Sequence, residues 1–283
     1  MNPSQSAKPR LPLACSVRDC GLPLERRERT FGCSHGHSYD VARSGYLNLL
    51  QPQDRRTRAA GDAKAAVEAR ARLLHAGIGR AIVDALVERA AALDLQPDPP
   101  VVDLGSGAGD ALAAIARRRP IAGIGIDLST AAVEHASRRF PDLTWVVANA
   151  DRRLPLMDRS VELVLSFHGR RNPAECARVL APGGFLLVAV PAPDDLIELR
   201  AIVQGHGIER ERANRLLAEH ASHFTLVERS TTRERRLLER AALLDLLRGT
   251  YRGERASSAA RVTALTRVEV TLASDFFLFA PRG

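Results

Sequence analysis

From Ala63 onward the chain takes on helical periodicity. Val67, Leu73 and Leu74 share a face until Gly77 breaks the pattern. Ile78, Ile82, Val83, Leu86, Val87, Ala90 and Leu93 then mark a second apolar stripe. The proline-rich stretch 97–100 ends it. Beyond that point short apolar runs predict strands over 101–104, 122–126, 144–148, 161–167 and 185–190. Interspersed amphipathic segments predict helices over 111–118, 130–139 and 173–180. Ser129 suits the cap of the second helix, and Asn172 the cap of the third, with Pro173 at its first position. Such alternation predicts an α/β fold with a parallel, doubly wound sheet. Three later helices (about 195–205, 209–220 and 239–248) interleave with strand-like segments at 224–232, 267–272 and 276–280.

The N-terminal fifth reads differently. Residues 13–50 lack helical periodicity and hold short β-like stretches between turns, while 1–12 are polar and proline-containing, as in a disordered tail. Residues 51–62 form an arginine-rich connector. The expected division is therefore a tail (1–12), a small domain (13–50), a linker (51–62) and a large domain (63–283).

A chain of 283 residues suffices for one α/β domain plus an appendage. No apolar run is long enough to span a bilayer, and the start lacks an apolar signal-peptide core. This places the chain in the cytoplasm, off the membrane. The net charge of +8 is unevenly spread: residues 1–60 carry ten basic side chains against five acidic ones. A basic small domain beside a nearly balanced large one points to a polyanionic partner. Arg55, Arg56 and Arg58 in the linker are the candidate phosphate contacts.

Two motifs carry chemistry. The loop after strand 101–104 reads Asp103-Leu-Gly105-Ser-Gly107-Ala-Gly109-Asp110-Ala111. Its glycines allow close backbone approach, and the helix N-terminus behind it favours a negative group. Asp110 stands where a dinucleotide fingerprint needs glycine or alanine, so NAD fits poorly. S-adenosylmethionine (SAM) fits better, its methionyl carboxylate facing the helix. Asp127, 22 residues after Gly105, can accept both ribose hydroxyls. Leu128, Asn149 and Ala150 complete the expected cofactor set. The second motif is Cys15-x4-Cys20 and Cys33-x3-His37, four soft ligands at zinc-like spacing. His35 is an alternative to His37. Cys176, on a predicted helix, reads as a core thiol. No residue stands out as a general base; His168 and Asp151 are the candidates. His168, Arg170, Arg171 and Asn172 follow the fourth strand, on the rim where open α/β sheets bind substrates.

At this point the chain resembles the bacterial large-subunit (23S) rRNA guanine-N1 methyltransferases, a family that includes tylosin-type macrolide-resistance enzymes. The resemblance rests on Cys33-Ser-His-Gly-His37-Ser-Tyr-Asp40, Gly45-Tyr-Leu-Asn-Leu-Leu50, Gly61-Asp62, Ala69-Arg70, Leu74-His-Ala-Gly77 and Ala177-Arg-Val-Leu-Ala-Pro-Gly-Gly184. It runs from about residue 13 to the C-terminus. It implies a class I SAM-dependent methyltransferase fold, Rossmann-like, with a small N-terminal zinc-binding domain that reads RNA. The implied reaction is methyl transfer to guanine N1 in a 23S rRNA hairpin near the peptide exit tunnel, by a homodimer, as housekeeping modification or antibiotic resistance. Its zinc ligands would be Cys15, Cys20, Cys33 and His37, and its SAM contacts Gly105, Gly107, Gly109, Asp110, Ala111 and Asp127. The chain departs from the family in three places: the x4 spacing of the first cysteines, the stretch Ser166-Phe-His-Gly-Arg-Arg-Asn172, and Arg248-Gly-Thr-Tyr-Arg252. Two rival readings are a small-molecule methyltransferase with a purely structural zinc module, and a non-catalytic RNA-binding protein.

Overall fold

The computed structural model of the chain describes residues 11–54, 61–204, 211–249 and 262–282. At its start, β1 (Glu25–Arg27), β2 (Thr30–Gly32) and β3 (Ser38–Asp40) form a small antiparallel sheet. Next comes β4 (Leu47–Asn48), then the helices α1 (Lys64–His75) and α2 (Arg80–Ala91). The alternating region follows as β5 (Pro100–Leu104), α3 (Asp110–Arg118), β6 (Ala122–Asp127), α4 (Thr130–Arg139), β7 (Thr144–Val147) and β8 (Val161–Phe167). Then come α5 (Pro173–Val179), β9 (Leu180–Pro191), α6 (Ile197–Gln204) and α7 (Ala213–His220). The chain closes with β10 (Phe224–Glu239), α8 (Arg240–Gly249) and β11 (Arg267–Pro281).

Among the described residues the main sheet has eight strands in the order β10-β11-β9-β8-β5-β6-β7-β4. From β9 to β4 every pairing is parallel; β11 and β10 are antiparallel additions. The caps fall where the sequence puts them. Ser129 Oγ accepts the Ala132 N–H at 3.2 Å, and Asn172 Oδ1 accepts the Ala174 N–H at 3.1 Å.

Strand parity sorts the core into two faces. Val102, Leu104, Ile124, Ile126, Val146, Val164 and Val188 pack with Leu13, Leu24, Phe31, Leu47 and Leu49 from the N-terminal segment, and with Val179 and Leu216. Val101, Val147, Leu163, Leu165 and Leu187 face the opposite way, onto Ile82 and Leu86 of α2, Leu112 and Ile115 of α3, and Val133 of α4. A third cluster, including Leu73, Leu199, Leu243, Leu246, Leu247 and Leu272, joins α1, α6 and α8 above the C-terminal ends of the strands.

Two findings differ from the sequence expectation. First, residues 13–50 are packed into the sheet rather than hung beside it. β4 pairs in parallel with β7 (Leu47 opposite Val146), and Leu13 bridges Leu156. Second, the strand-like segments 267–272 and 276–280 are one strand. Ser274 and Asp275 interrupt the apolar run but are buried, with Asp275 accepting from the Thr231 hydroxyl at 2.6 Å and pairing with Arg229 at 3.3 Å. β10 extends past 232 because its long polar face is exposed while its backbone pairs with β11 throughout. Among the described residues, no helix is long and apolar enough to cross a membrane.

Candidate functional site: a four-ligand metal cluster and a cavity at the strand ends

The backbone of the N-terminal segment brings four ligands to one point. Leu22 accepts the Cys15 N–H at 2.8 Å, Cys33 accepts the Gly36 N–H at 3.0 Å, and His37 accepts the Cys33 N–H at 3.0 Å. The wide Cys15–Cys20 spacer is taken up by a turn, with the Cys20 N–H bonded to Val17 and Asp19 in a left-handed conformation. Side-chain ligand atoms of Cys15, Cys20, Cys33 and His37 lie within 4.8 Å of one another. Cys20 Sγ is 3.8 Å from Cys33 Sγ, and His37 Nδ1 is 3.4 Å from both Cys15 Sγ and Cys33 Sγ. Tetrahedral zinc with Zn–S bonds of about 2.3 Å requires sulfurs about 3.8 Å apart, so the set fits that ion. Burial pushes the Cys33 thiol up, but N–H groups near His35 and His37 and the side chains of Cys20 and His37 outweigh it, bringing it down to about 7. A thiol so placed gives up its proton to a metal readily. The Tyr39 hydroxyl sits 3.1 Å from Cys15 Sγ, a supporting contact that the spacing did not show. His35 Nδ1 lies 3.8 Å from Cys20 Sγ, outside the four-atom cluster.

At the C-terminal ends of the sheet strands is a cavity of about 750 Å³. Asp103, Gly105, Gly107, Asp110, Ala111 and Asp127 line it, as does His168. Asp103 is buried, and its Oδ1 has no hydrogen-bond partner among the described residues. Burial, then the neighbouring Asp127 charge, pushes its carboxyl up to about 7. An orphaned acceptor at this point suits a cationic donor such as the methionyl ammonium of SAM. Asp127 is held by the Ser129 N–H at 2.7 Å on Oδ1 and by the Gly107 N–H at 2.9 Å on Oδ2. Burial raises its carboxyl pKa, and those two N–H groups oppose the shift. Each oxygen keeps a further lone pair for a ribose hydroxyl. The cavity thus offers acidic groups to the ribose and ammonium of SAM and a glycine-lined backbone beside α3.

Gly109 stands apart from its neighbours. A Cβ there would lie 2.3 Å from the ring of Trp145, and its φ is +83°. Its place is to seat the tryptophan under the loop rather than to line the cavity. Gly109→Ala should therefore lower stability by about 1–3 kcal/mol, the usual cost of overpacking. Thermal unfolding followed by the chain's single tryptophan would read the loss. An unchanged melting temperature would show that Trp145 yields freely.

Leu128, Asn149 and Ala150 do not line the cavity. Asn149 Oδ1 accepts the Asp151 N–H at 3.0 Å. Asp151 itself pairs with Arg170 at 3.0 Å and is also outside the cavity, which removes the geometric basis for a base at that position. His168 does reach the cavity. It stacks on Phe167 and its Nε2 is 2.8 Å from Ser274 Oγ, but burial, with Arg212 and Arg70 nearby, lowers its pKa to about 4. Arg171 turns inward instead, donating to His220 Nε2 at 3.1 Å. Cys176 is buried and its thiol is pushed up to about 12, as in an inert core thiol. Arg55, Arg56 and Arg58 lie outside the described residues.

Sequence reasoning placed Gly61-Asp62 and Arg70 only through the family resemblance. Here a Cβ on Gly61 would lie 2.5 Å from the Ser129 nitrogen, the Ser129 hydroxyl donates to the Asp62 carbonyl at 2.7 Å, and the Asp62 carboxylate pairs with Arg70. The end of the connector is therefore pinned beside the cap of α4. No periodicity signals such a contact; only the glycine hints at it.

A parallel sheet with this glycine loop, an acidic β6 end and a cavity over its strand tips defines a class I SAM-dependent methyltransferase, here joined to a zinc ribbon. Two family models match: "Methyltransferase domain" over residues 101–184 and "RlmA, N-terminal", a zinc ribbon, over residues 14–58. A 23S rRNA (guanine(748)-N(1))-methyltransferase of Streptomyces fradiae is 35% identical over 93% of this chain and 95% of its own length. A putative 23S rRNA (guanine-N(1)-)-methyltransferase of Micromonospora griseorubida is 33% identical over 95% of this chain and 97% of its own. The crystal structure of the YcgJ protein of Bacillus subtilis superimposes with a TM-score of 0.50 at 17% identity, over 71% of this chain and 98% of that one, a likeness of fold alone. The chain belongs to the 23S rRNA guanine-N1 methyltransferase family.

Proposed function

We propose that this protein methylates N1 of a guanine in 23S rRNA, in a hairpin loop near the peptide exit tunnel, acting in the cytoplasm as a homodimer. One observation carries the reading: a zinc ribbon shares its core with the cofactor sheet while turning a basic hairpin outward. Arg26 and Arg27 of β1, with Arg29 in the turn, outnumber the exposed Glu25 and Glu28 of the same hairpin and are all exposed. So are Arg18 and Arg43. A ribbon serving only as structure has no need of an outward arginine face, which favours RNA over a small-molecule substrate. In this reading residues 13–50 are the RNA-recognition unit, and Arg55, Arg56 and Arg58 are further candidate phosphate contacts.

Cys15, Cys20, Cys33 and His37 would hold zinc. Asp103 and Asp127 would hold the ammonium and ribose of SAM, with Gly105, Gly107, Asp110 and Ala111 shaping the wall. When bound, SAM supplies a methyl group already activated by its sulfonium charge, so the protein's part is mainly orientation and removal of the N1 proton. The target base must be splayed from its stack to enter a cavity of this kind, which suits a loop nucleotide.

Nucleoside mass spectrometry of 23S rRNA from a deletion strain and its parent tests the reading. Loss of one N1-methylguanine is expected, and an identical modification profile would refute it. The arginine face has its own test. Arg26, Arg27 and Arg29 changed together to alanine should flatten the salt dependence of RNA binding by about 2 units, at about 0.7–0.9 for each phosphate no longer neutralised. SAM affinity should hold. A wild-type salt slope would return these arginines to mere solvation.

A further inference from the structure

We propose that the Asp195 carboxylate is the group that takes the N1 proton of the target guanine, by pairing with the N1–H and N2–H edge of the base. The inference rests on the guanine-N1 reading above and names the base that reading lacks.

The cavity spans the strand tips from β6 across β5, β8 and β9 to β11. Five aspartates line it: Asp62, Asp103, Asp110, Asp127 and Asp195. Four are committed elsewhere. Asp62 pairs with Arg70, and Asp110 with Arg139 at 2.9 Å. Asp127 accepts N–H groups on both oxygens, and Asp103 is buried beside it at the cofactor end. Asp195 lies at the opposite end, just past β9 and against β11. Its Oδ1 accepts the Ala273 N–H at 3.0 Å, and its own N–H donates to the Ala192 carbonyl at 3.1 Å. The first bond holds one carboxylate oxygen and the second holds the backbone that carries it, while Oδ2 has no partner among the described residues. A fixed carboxylate with one unused oxygen complements the donor edge of guanine, which adenine lacks.

The surroundings tune it to the task. Burial raises the Asp195 carboxyl to about 6; the Ala273 N–H, Arg200 and Arg212 oppose this, and Asp194 adds to it. Of the nearby charges, Asp194 pairs with Arg233 of β10 at 2.8 Å and Arg212 donates to the Pro191 carbonyl at 3.0 Å, while Arg200 donates to the Pro193 carbonyl at 2.7 Å and keeps a buried Nε that has no partner among the described residues. Such a carboxylate is ionised at neutral pH yet more basic than an exposed one, as a general base should be. His168, lowered to about 4, is a weaker acceptor. In the step itself, the N1–H electron pair becomes the new N1–C bond as the proton moves to Asp195 Oδ2. The S–C bond of the donor breaks with its electrons on sulfur, and the proton later passes to solvent.

The test is single-turnover methyl transfer from labelled SAM to unmodified 23S rRNA transcript across pH 5–8, with SAM affinity measured separately by calorimetry. Wild type should show a rate that rises with pH through about 6 and then levels, since only the ionised carboxylate accepts a proton. Asp195→Asn, which can still accept the Ala273 N–H, should slow the step by about 10²-fold or more, erase that limb and bind SAM within about twofold of wild type. Asp195→Glu should keep the limb and recover part of the rate. An Asn variant with near-wild-type rate, or one that keeps the limb, overturns the proposal. If the Asn variant fails to bind SAM, the Glu variant decides, and a Glu variant that binds SAM without the limb also overturns it. Wild type that puts no methyl on guanine N1 would instead refute the guanine-N1 reading, a distinct failure.

Discussion

Replacing Cys33 with alanine should unfold the ribbon and loosen the whole sheet face beneath it, leaving little folded protein at 37 °C. Structural zinc in small modules binds with roughly 10–16 kcal/mol of apparent free energy, comparable with the roughly 5–15 kcal/mol that holds a typical domain together. Cys33 also packs in the same cluster as Leu13, Phe31, Leu104 and Val146. Losing the ligand therefore removes a wall of the core as well as the metal. Elemental analysis should find one zinc per wild-type chain, and circular dichroism should show a large drop in the melting temperature of the variant. A metal-free protein that melts like wild type would reject the assignment.

Asp127→Ala should weaken SAM binding by about 1.5–3 kcal/mol, the range for hydrogen bonds to a charged group. The same substitution removes the acceptor shared by the Gly107 and Ser129 N–H groups, so the glycine loop should also relax. Asp127→Asn separates the two effects. Its amide oxygen can still accept one N–H, but its NH2 group meets the other donor face to face. Calorimetry should rank wild type above Asn and Asn above Ala or equal to it. Unchanged affinity in both variants would place the ribose elsewhere.

The alternating core is legible in the sequence because its strands are short, apolar and separated by capped helices; Ser129 and Asn172 stand where their residue types imply. The metal cluster is legible from ligand type and spacing alone. What escapes the sequence is long-range. β4 is two residues long, and nothing in Leu47-Asn48 announces a partner almost a hundred residues away. β11 reads as two strands because Ser274 and Asp275 look like a break, yet each is buried against a polar partner supplied by another element. Asp195 stands where the sequence predicts the start of a helix, and nothing there marks it as a cavity residue. Its place emerges only when β11 is laid beside β9. Gly109 is legible as a glycine that matters, but the reason, the face of Trp145, is a tertiary contact.

The bridge from Leu13 to Leu156 also sets a schedule. The ribbon is synthesised before the strands that cover its apolar side: β5, β6 and β7 lie between residues 100 and 147, and β8 and β9 after residue 160. At synthesis rates of about 5–20 residues per second, the last of them follows the ribbon by roughly seven to thirty seconds. During that interval Leu13, Leu24 and Phe31 have no sheet to lie against. A metal ion captured early would hold the ribbon's shape while the nascent chain waits for its other half.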